Sequence, residues 1–180
     1  ALNCGSSSPG TELLAYVPSS VIPNLYELSS PEYKHRYYVD GPSTVVDARI
    51  GASWKTVLLG SLGAGGQSVY ALDVTNPASF SSSNVMWEFT PDNEAADLGI
   101  DLSDTDLGLT IGKPLIARVK AGNKSVAIIS NGFNSKSSRA SLLIVDLQTG
   151  KLIKRIRVSG SGSALSAPAL LDRDTDGYVD

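Results

Sequence analysis

Histidine, cysteine and methionine each occur once in the 180 residues, as His35, Cys4 and Met86. A single histidine excludes a multi-histidine metal site, and no Ser-His or Cys-His constellation for nucleophilic catalysis is present. A single cysteine rules out an internal disulfide and says little about redox compartment. Long hydrophobic runs are missing, so no segment reads as a membrane span. Neither sign of charge dominates: 15 Lys and Arg stand against 18 Asp and Glu, a net charge of -3. The cations form no stripe, which argues against nucleic acid as a partner. No signal peptide is visible at Ala1, and a mature chain or an excised piece would read the same. No segment sustains a 3.6-residue apolar period, so long helices are not expected. The best short-helix candidate is Ser20 to Leu28, where Pro23 suits a first turn. His35 lies in Tyr33-Lys34-His35-Arg36-Tyr37 and reads as a strand-entry residue rather than a catalyst.

Serine, glycine, threonine and asparagine separate short bursts of strong β-formers, the look of an all-β chain with many turns. Two stretches can be laid over each other. The first runs Thr44-Val45-Val46-Asp47-Ala48, Lys55 to Gly60, Ser68 to Val74 and Val85-Met86-Trp87-Glu88-Phe89. The second runs Pro114 to Arg118, Ser125 to Ser130, Ser141 to Leu147 and Leu152 to Ile156. Repeats of four short antiparallel strands are the mark of propeller blades. The boundaries expected are 11–17 for the last strand of a preceding blade, 37–90 for a first blade, 112–158 for a second and 166–180 for the start of a third. Asp73 and Asp146 each close a third strand, where an Asp side chain can bond backbone N–H groups two residues on. Gly150 is expected in the left-handed conformation. The Gly63-Ala64-Gly65-Gly66 turn lacks the Lys-Ser/Thr and the following helix of a phosphate cradle. The acidic insertion from Ala95 to Gly108 carries four Asp residues at irregular spacing and reads as a solvated loop.

The densest chemistry closes the chain. In Asp172-Arg173-Asp174-Thr175-Asp176-Gly177-Tyr178-Val179-Asp180, carboxylates stand at loop positions one, three, five and nine, and glycine stands at six. Hard cations take six to eight oxygens, and an Asp-x-Asp-x-Asp-Gly loop delivers them by curling alternate side chains inward. Gly177 supplies the turn and Tyr178 its backbone carbonyl. The expected ligands of one Ca²⁺ are therefore Asp172, Asp174, Asp176, Tyr178 and Asp180. The flanking residues read as β, so the loop sits on a β-scaffold and not between helices. The alternative reading is a solvated acidic turn.

Several ordered segments resemble one family: Leu13 to Pro18, His35 to Gly41, Trp54 to Gly66, Val69 to Pro77, Trp87-Glu88-Phe89, Asn131-Gly132-Phe133-Asn134-Ser135 and the terminal Asp loop. Together they resemble the C-terminal β-propeller of the PilY/PilC family of type IV pilus biogenesis factors and tip adhesins. The resemblance implies a modified seven-bladed propeller, of which residues 1–180 are a partial one. It also implies a calcium site at the Asp loop that governs pilus extension and retraction, with consequences for twitching motility and adhesion. The implied place is the bacterial surface, outer membrane or pilus tip, and the implied partners are minor pilins and a host surface. No Arg-Gly-Asp tripeptide is present to support integrin binding. Two alternatives stand beside this reading. Val145-Asp146-Leu147-Gln148-Thr149-Gly150-Lys151 looks like the blade motif of quinoprotein dehydrogenases, which hold pyrroloquinoline quinone. There a docking tryptophan stands where this chain has Lys154, and the adjacent cysteine pair is missing. The other alternative is a scaffold whose calcium is purely structural. The expectation is a non-enzymatic, calcium-binding propeller region.

Overall fold

The computed structural model describes residues 10–160 and 162–179. Two four-stranded antiparallel sheets carry the chain. The first holds β1 (Ser43–Ile50), β2 (Ser53–Ser61), β3 (Val69–Asp73) and β4 (Val85–Phe89) in sequence order. The second holds β5 (Leu115–Val119), β6 (Lys124–Ser130), β7 (Ser141–Asp146) and β8 (Leu152–Arg157), again in sequence order. These are the two expected blades. Among the described residues, no helix is long and apolar enough to cross a membrane.

The repeat extends to a shared irregularity. The pairing of β3 with β4 slips between Ala71 and Leu72, so Trp87 faces Ala71 and Met86 is left over. The pairing of β7 with β8 slips between Ile144 and Val145, so Lys154 faces Ile144 and Ile153 is left over. Each slip falls just before the residue that precedes the closing Asp. A bulge adds one residue to one strand and sharpens the local twist, so both sheets turn at the same place.

The sheets pack face to face. Val57, Leu59, Val69, Ala71, Trp87 and Phe89 of the first join Ala127, Ile129, Leu143, Val145 and Leu147 of the second in one buried cluster. Successive residues of a strand point to opposite faces, so the other face of the second sheet presents Val126, Ile128, Leu142 and Ile144. Leu170 and Val179 pack there. Coverage on both sides explains why β6 reads Val-Ala-Ile-Ile without alternation, with all four residues buried.

Both expected Asp turns form. Asp73 Oδ1 accepts the Thr75 N–H at 3.1 Å, and Asp146 Oδ1 accepts those of Gln148 and Thr149 at 3.0 and 3.1 Å. Gly150 is left-handed, with φ of 72°. The short-helix candidate is a 3₁₀ helix, Ser19–Ser29.

Four expectations need correction. Residues 11–17 form no strand. Side chains hold this segment instead: the Tyr16 hydroxyl bonds Glu88, and the Tyr16 ring rests on Tyr70 with centroids 5.2 Å apart. His35 enters no strand, because β1 begins only at Ser43; its ring meets that of Tyr37 edge-on at 4.9 Å. The residues flanking the Asp loop make no ladder. They meet the second sheet through single bonds, such as Val179 N–H to the Arg118 carbonyl at 2.9 Å.

The fourth correction concerns the acidic insertion, which is solvated over most of residues 96–103 but buried over residues 105–108. It opens as helix α1 (Pro91–Leu98), capped by Thr90, with Asn93 bonding back to the Thr90 N–H, and ended by left-handed Gly99. This is the reciprocal cap that satisfies orphan N–H groups. Glu94, Thr105, Asp106 and Leu107 are fully buried. The Glu94 carboxylate accepts the N–H groups of Asp106, at 2.9 and 3.0 Å, and Leu107, at 2.8 Å. It also takes Arg155 Nη1 at 3.1 Å. Arg157 binds Asp106 through Nε at 2.9 Å and Asp104 through Nη2 at 2.7 Å. The carboxylates of Glu94 and Asp106 are buried because two arginines of β8 pair with them.

Candidate metal centre

The Asp loop curls where the sequence places it. Thr175 and Gly177 are left-handed, with φ of 58° and 84°. The curl brings one carboxylate oxygen from each of Asp172, Asp174 and Asp176 within 4.8 Å of the others. Calcium holds oxygens at about 2.3–2.6 Å, so opposite ligands stand about 5 Å apart. The three side chains therefore fit a single hard cation in both spacing and donor type. Asp180, the fourth expected carboxylate, lies outside the described residues, as does Cys4.

The three aspartates differ in local role. Asp172 organises the loop: its Oδ1 accepts the Asp176 N–H at 3.2 Å and its Oδ2 the Gly177 N–H at 2.8 Å. Asp176 Oδ1 accepts the Tyr178 N–H at 3.0 Å. Asp174 is exposed. Tyr178 anchors the loop through its side chain. Its hydroxyl donates to Asn123 Oδ1 at 3.0 Å, and the Arg118 guanidinium lies over its ring, 4.6 Å from the centroid. A cation over an aromatic face is attracted by the ring quadrupole.

Linear spacing held no sign of the residues that the second sheet contributes. Arg118 lies on β5, and Lys120 and Asn123 lie in the turn from β5 to β6. Lys120 Nζ stands 3.1 Å from Asp174 Oδ2 and 2.8 Å from Asp176 Oδ2. The Lys120 hydrogen bond holds the Asp176 carboxyl below its usual range, helped by the Tyr178 N–H. Lys120 and Asp174 are 54 residues apart in sequence, so only the seating of the loop on the second sheet brings them together.

The sequence matches the PilY1 beta-propeller domain over residues 10–180. A type IV pilus biogenesis factor PilY1 homolog of Xylella fastidiosa is 46% identical over 183 residues, covering 95% of this chain and 12% of that protein. The type IV pilus biogenesis factor PilY1 of Pseudomonas aeruginosa strain PAO1 is 38% identical over 182 residues, covering 98% of this chain and 14% of that protein. The crystal structure of the Pseudomonas aeruginosa PilY1 C-terminal domain superposes with a TM-score of 0.76 at 36% identity, covering 96% of this chain and 32% of that one. The chain belongs to the PilY1 beta-propeller domain family, and its two sheets are blades of such a propeller. It spans about an eighth of the length of these two curated relatives.

Proposed function

We propose that this region is the calcium-binding part of the propeller of a non-enzymatic, type IV pilus-associated protein displayed at the bacterial surface. Calcium occupancy there acts on pilus extension and retraction, and through them on twitching and adhesion. Minor pilins of the pilus are the partners, with a host surface as the adhesive target. The observation that supports this reading is the convergence of Asp172, Asp174 and Asp176 within 4.8 Å, on a loop seated against a neighbouring blade. Calcium when bound supplies the positive charge that this cluster needs. The chain's own residues do the rest. Asp172 fixes the curl, Asp174 and Asp176 offer oxygens, and the Tyr178 carbonyl and Asp180 complete the set. Arg118 and Asn123 hold the loop to the second blade, so occupancy bears on an inter-blade contact. Extracellular modules bind calcium at about 0.1–1 mM, a range in which occupancy follows ambient calcium. The test is Asp174→Ala in the full-length protein in its own bacterium, with surface pili and twitching measured with and without a calcium chelator. The variant is expected to behave like the chelated wild type. A variant that keeps the full calcium response of the wild type overturns the reading.

A further inference from the structure

We infer that Lys120 is a tethered counter-ion of the Asp loop, and that a divalent cation enters by displacing its ammonium; this rests on the calcium reading above. Lys120 Nζ binds Asp174 Oδ2 and Asp176 Oδ2 at 3.1 and 2.8 Å, so it sits across two of the three converging carboxylates. An ammonium is a compact point charge with three donors, and it fills the role of a small cation among oxygens. A dication that takes the same carboxylates at about 2.3–2.6 Å sets two cations within a few ångströms of each other. One of them leaves. The lysine has a flexible stem, and its side chain is half exposed, so it can swing into water.

The loop's other attachments do not involve these carboxylates. Val179 N–H still bonds the Arg118 carbonyl, and the Tyr178 hydroxyl still bonds Asn123. The exchange therefore parts Lys120 from the two carboxylates while the loop stays seated. Lys120 thus does two things. It neutralises the calcium-free loop in a ligand-ready curl, and it lowers calcium affinity by competition. The core between the blades is built of other residues, so removal of Lys120 is expected to act on the loop and its binding.

Calcium chloride is titrated calorimetrically into the full-length protein and into its Lys120→Met, Lys120→Arg and Asp174→Ala variants. The heat that Asp174→Ala abolishes reports this site. Lys120→Met is expected to bind about fivefold more tightly or better, since a competing charge is gone, and Lys120→Arg to stay within about twofold of wild type. Acetylation of the Lys120 amine, followed by mass spectrometry, is expected to rise when calcium saturates the wild type. Lys120→Met binding no tighter than wild type, or acetylation unmoved by calcium, overturns the role of Lys120 and leaves the calcium site standing. If neither wild type nor Lys120→Met shows heat that depends on Asp174, the calcium site falls and this inference falls with it.

Discussion

The indole of Trp87, on the last strand of the first blade, donates its Nε1–H to the carbonyl of Leu147 in the second blade at 2.9 Å. The same ring lies over Gly150: a Cβ there would stand 2.6 Å from Trp87 Cγ. One side chain thus joins the blades by a buried hydrogen bond and by a close approach that only glycine allows.

Gly150→Ala is therefore expected to cost more than the left-handed backbone alone demands. Gly51 is the control: its φ is 60°, yet a Cβ there would meet its nearest atom only at 3.9 Å. Gly51→Ala should cost about 1 kcal/mol through conformation, and Gly150→Ala about 1–3 kcal/mol more through overpacking. Denaturant unfolding compares the two directly. Equal costs would show that Trp87 yields freely.

Glu94→Ala is expected to destabilise the protein by about 3–5 kcal/mol, because it leaves the buried N–H groups of Asp106 and Leu107 without an acceptor and breaks a buried ion pair, although Arg155 keeps Asp104. Asp97→Ala, which removes only the exposed acceptor of the Leu152 N–H, should cost about 1 kcal/mol. Urea titration of the two variants ranks them. A Glu94→Ala protein as stable as Asp97→Ala would mean that water replaces the carboxylate.

Acid should loosen the insertion. Burial pushes the Asp106 carboxyl up, but bonds from Arg157 and Ser137 outweigh it and hold the group below its usual range. Burial likewise pushes Asp146 up, and Lys124 with the turn amides outweighs it. A carboxyl depressed in the folded state stabilises above its unfolded value of about 3.9, and that stability is lost as pH falls through the folded value. Thermal unfolding should be flat from pH 7 to about 5 and fall below about 4. In Arg157→Gln the fall should begin at higher pH, since Asp106 loses the partner that keeps it ionised. Identical acid profiles for the two proteins would remove Arg157 from this role.

The loop aspartates should separate by role. Asp172→Ala removes the acceptor for the Asp176 and Gly177 amides, so hydrogen exchange at those amides should quicken even without calcium. Asp174→Ala should leave their exchange unchanged and remove calcium uptake alone. Asp101→Ala, whose lost carboxylate accepts the Ser103 N–H at 2.8 Å, should do neither. Slow exchange in Asp172→Ala would show that the curl holds itself.

Much of the fold was legible because its determinants are local. Short bursts of β-formers, an Asp closing each third strand and Gly150 after the second of them constrain only a few adjacent residues, so a linear reading finds them. The curl of the Asp loop was legible for the same reason: carboxylate spacing and a left-handed glycine are properties of a few consecutive residues. Residues 11–17 are no strand among the described residues because a strand exists only where a second strand takes its hydrogen bonds, and the sequence does not say which segments meet.

Charge misled in the acidic insertion, where polarity suggested water. Whether a carboxylate is buried depends on what pairs with it, and Arg155 and Arg157 come from β8, about fifty residues on. Lys120 reached the Asp loop in the same way, from another blade. The sequence by itself determined the strands, their turns, the repeat and the order of the loop's aspartates, because each rests on short-range backbone geometry. Only the tertiary structure decided which charges are buried, which tryptophan joins the blades and which lysine faces the aspartates. Those depend on the stacking of one sheet on the next, which brings distant segments within a few ångströms.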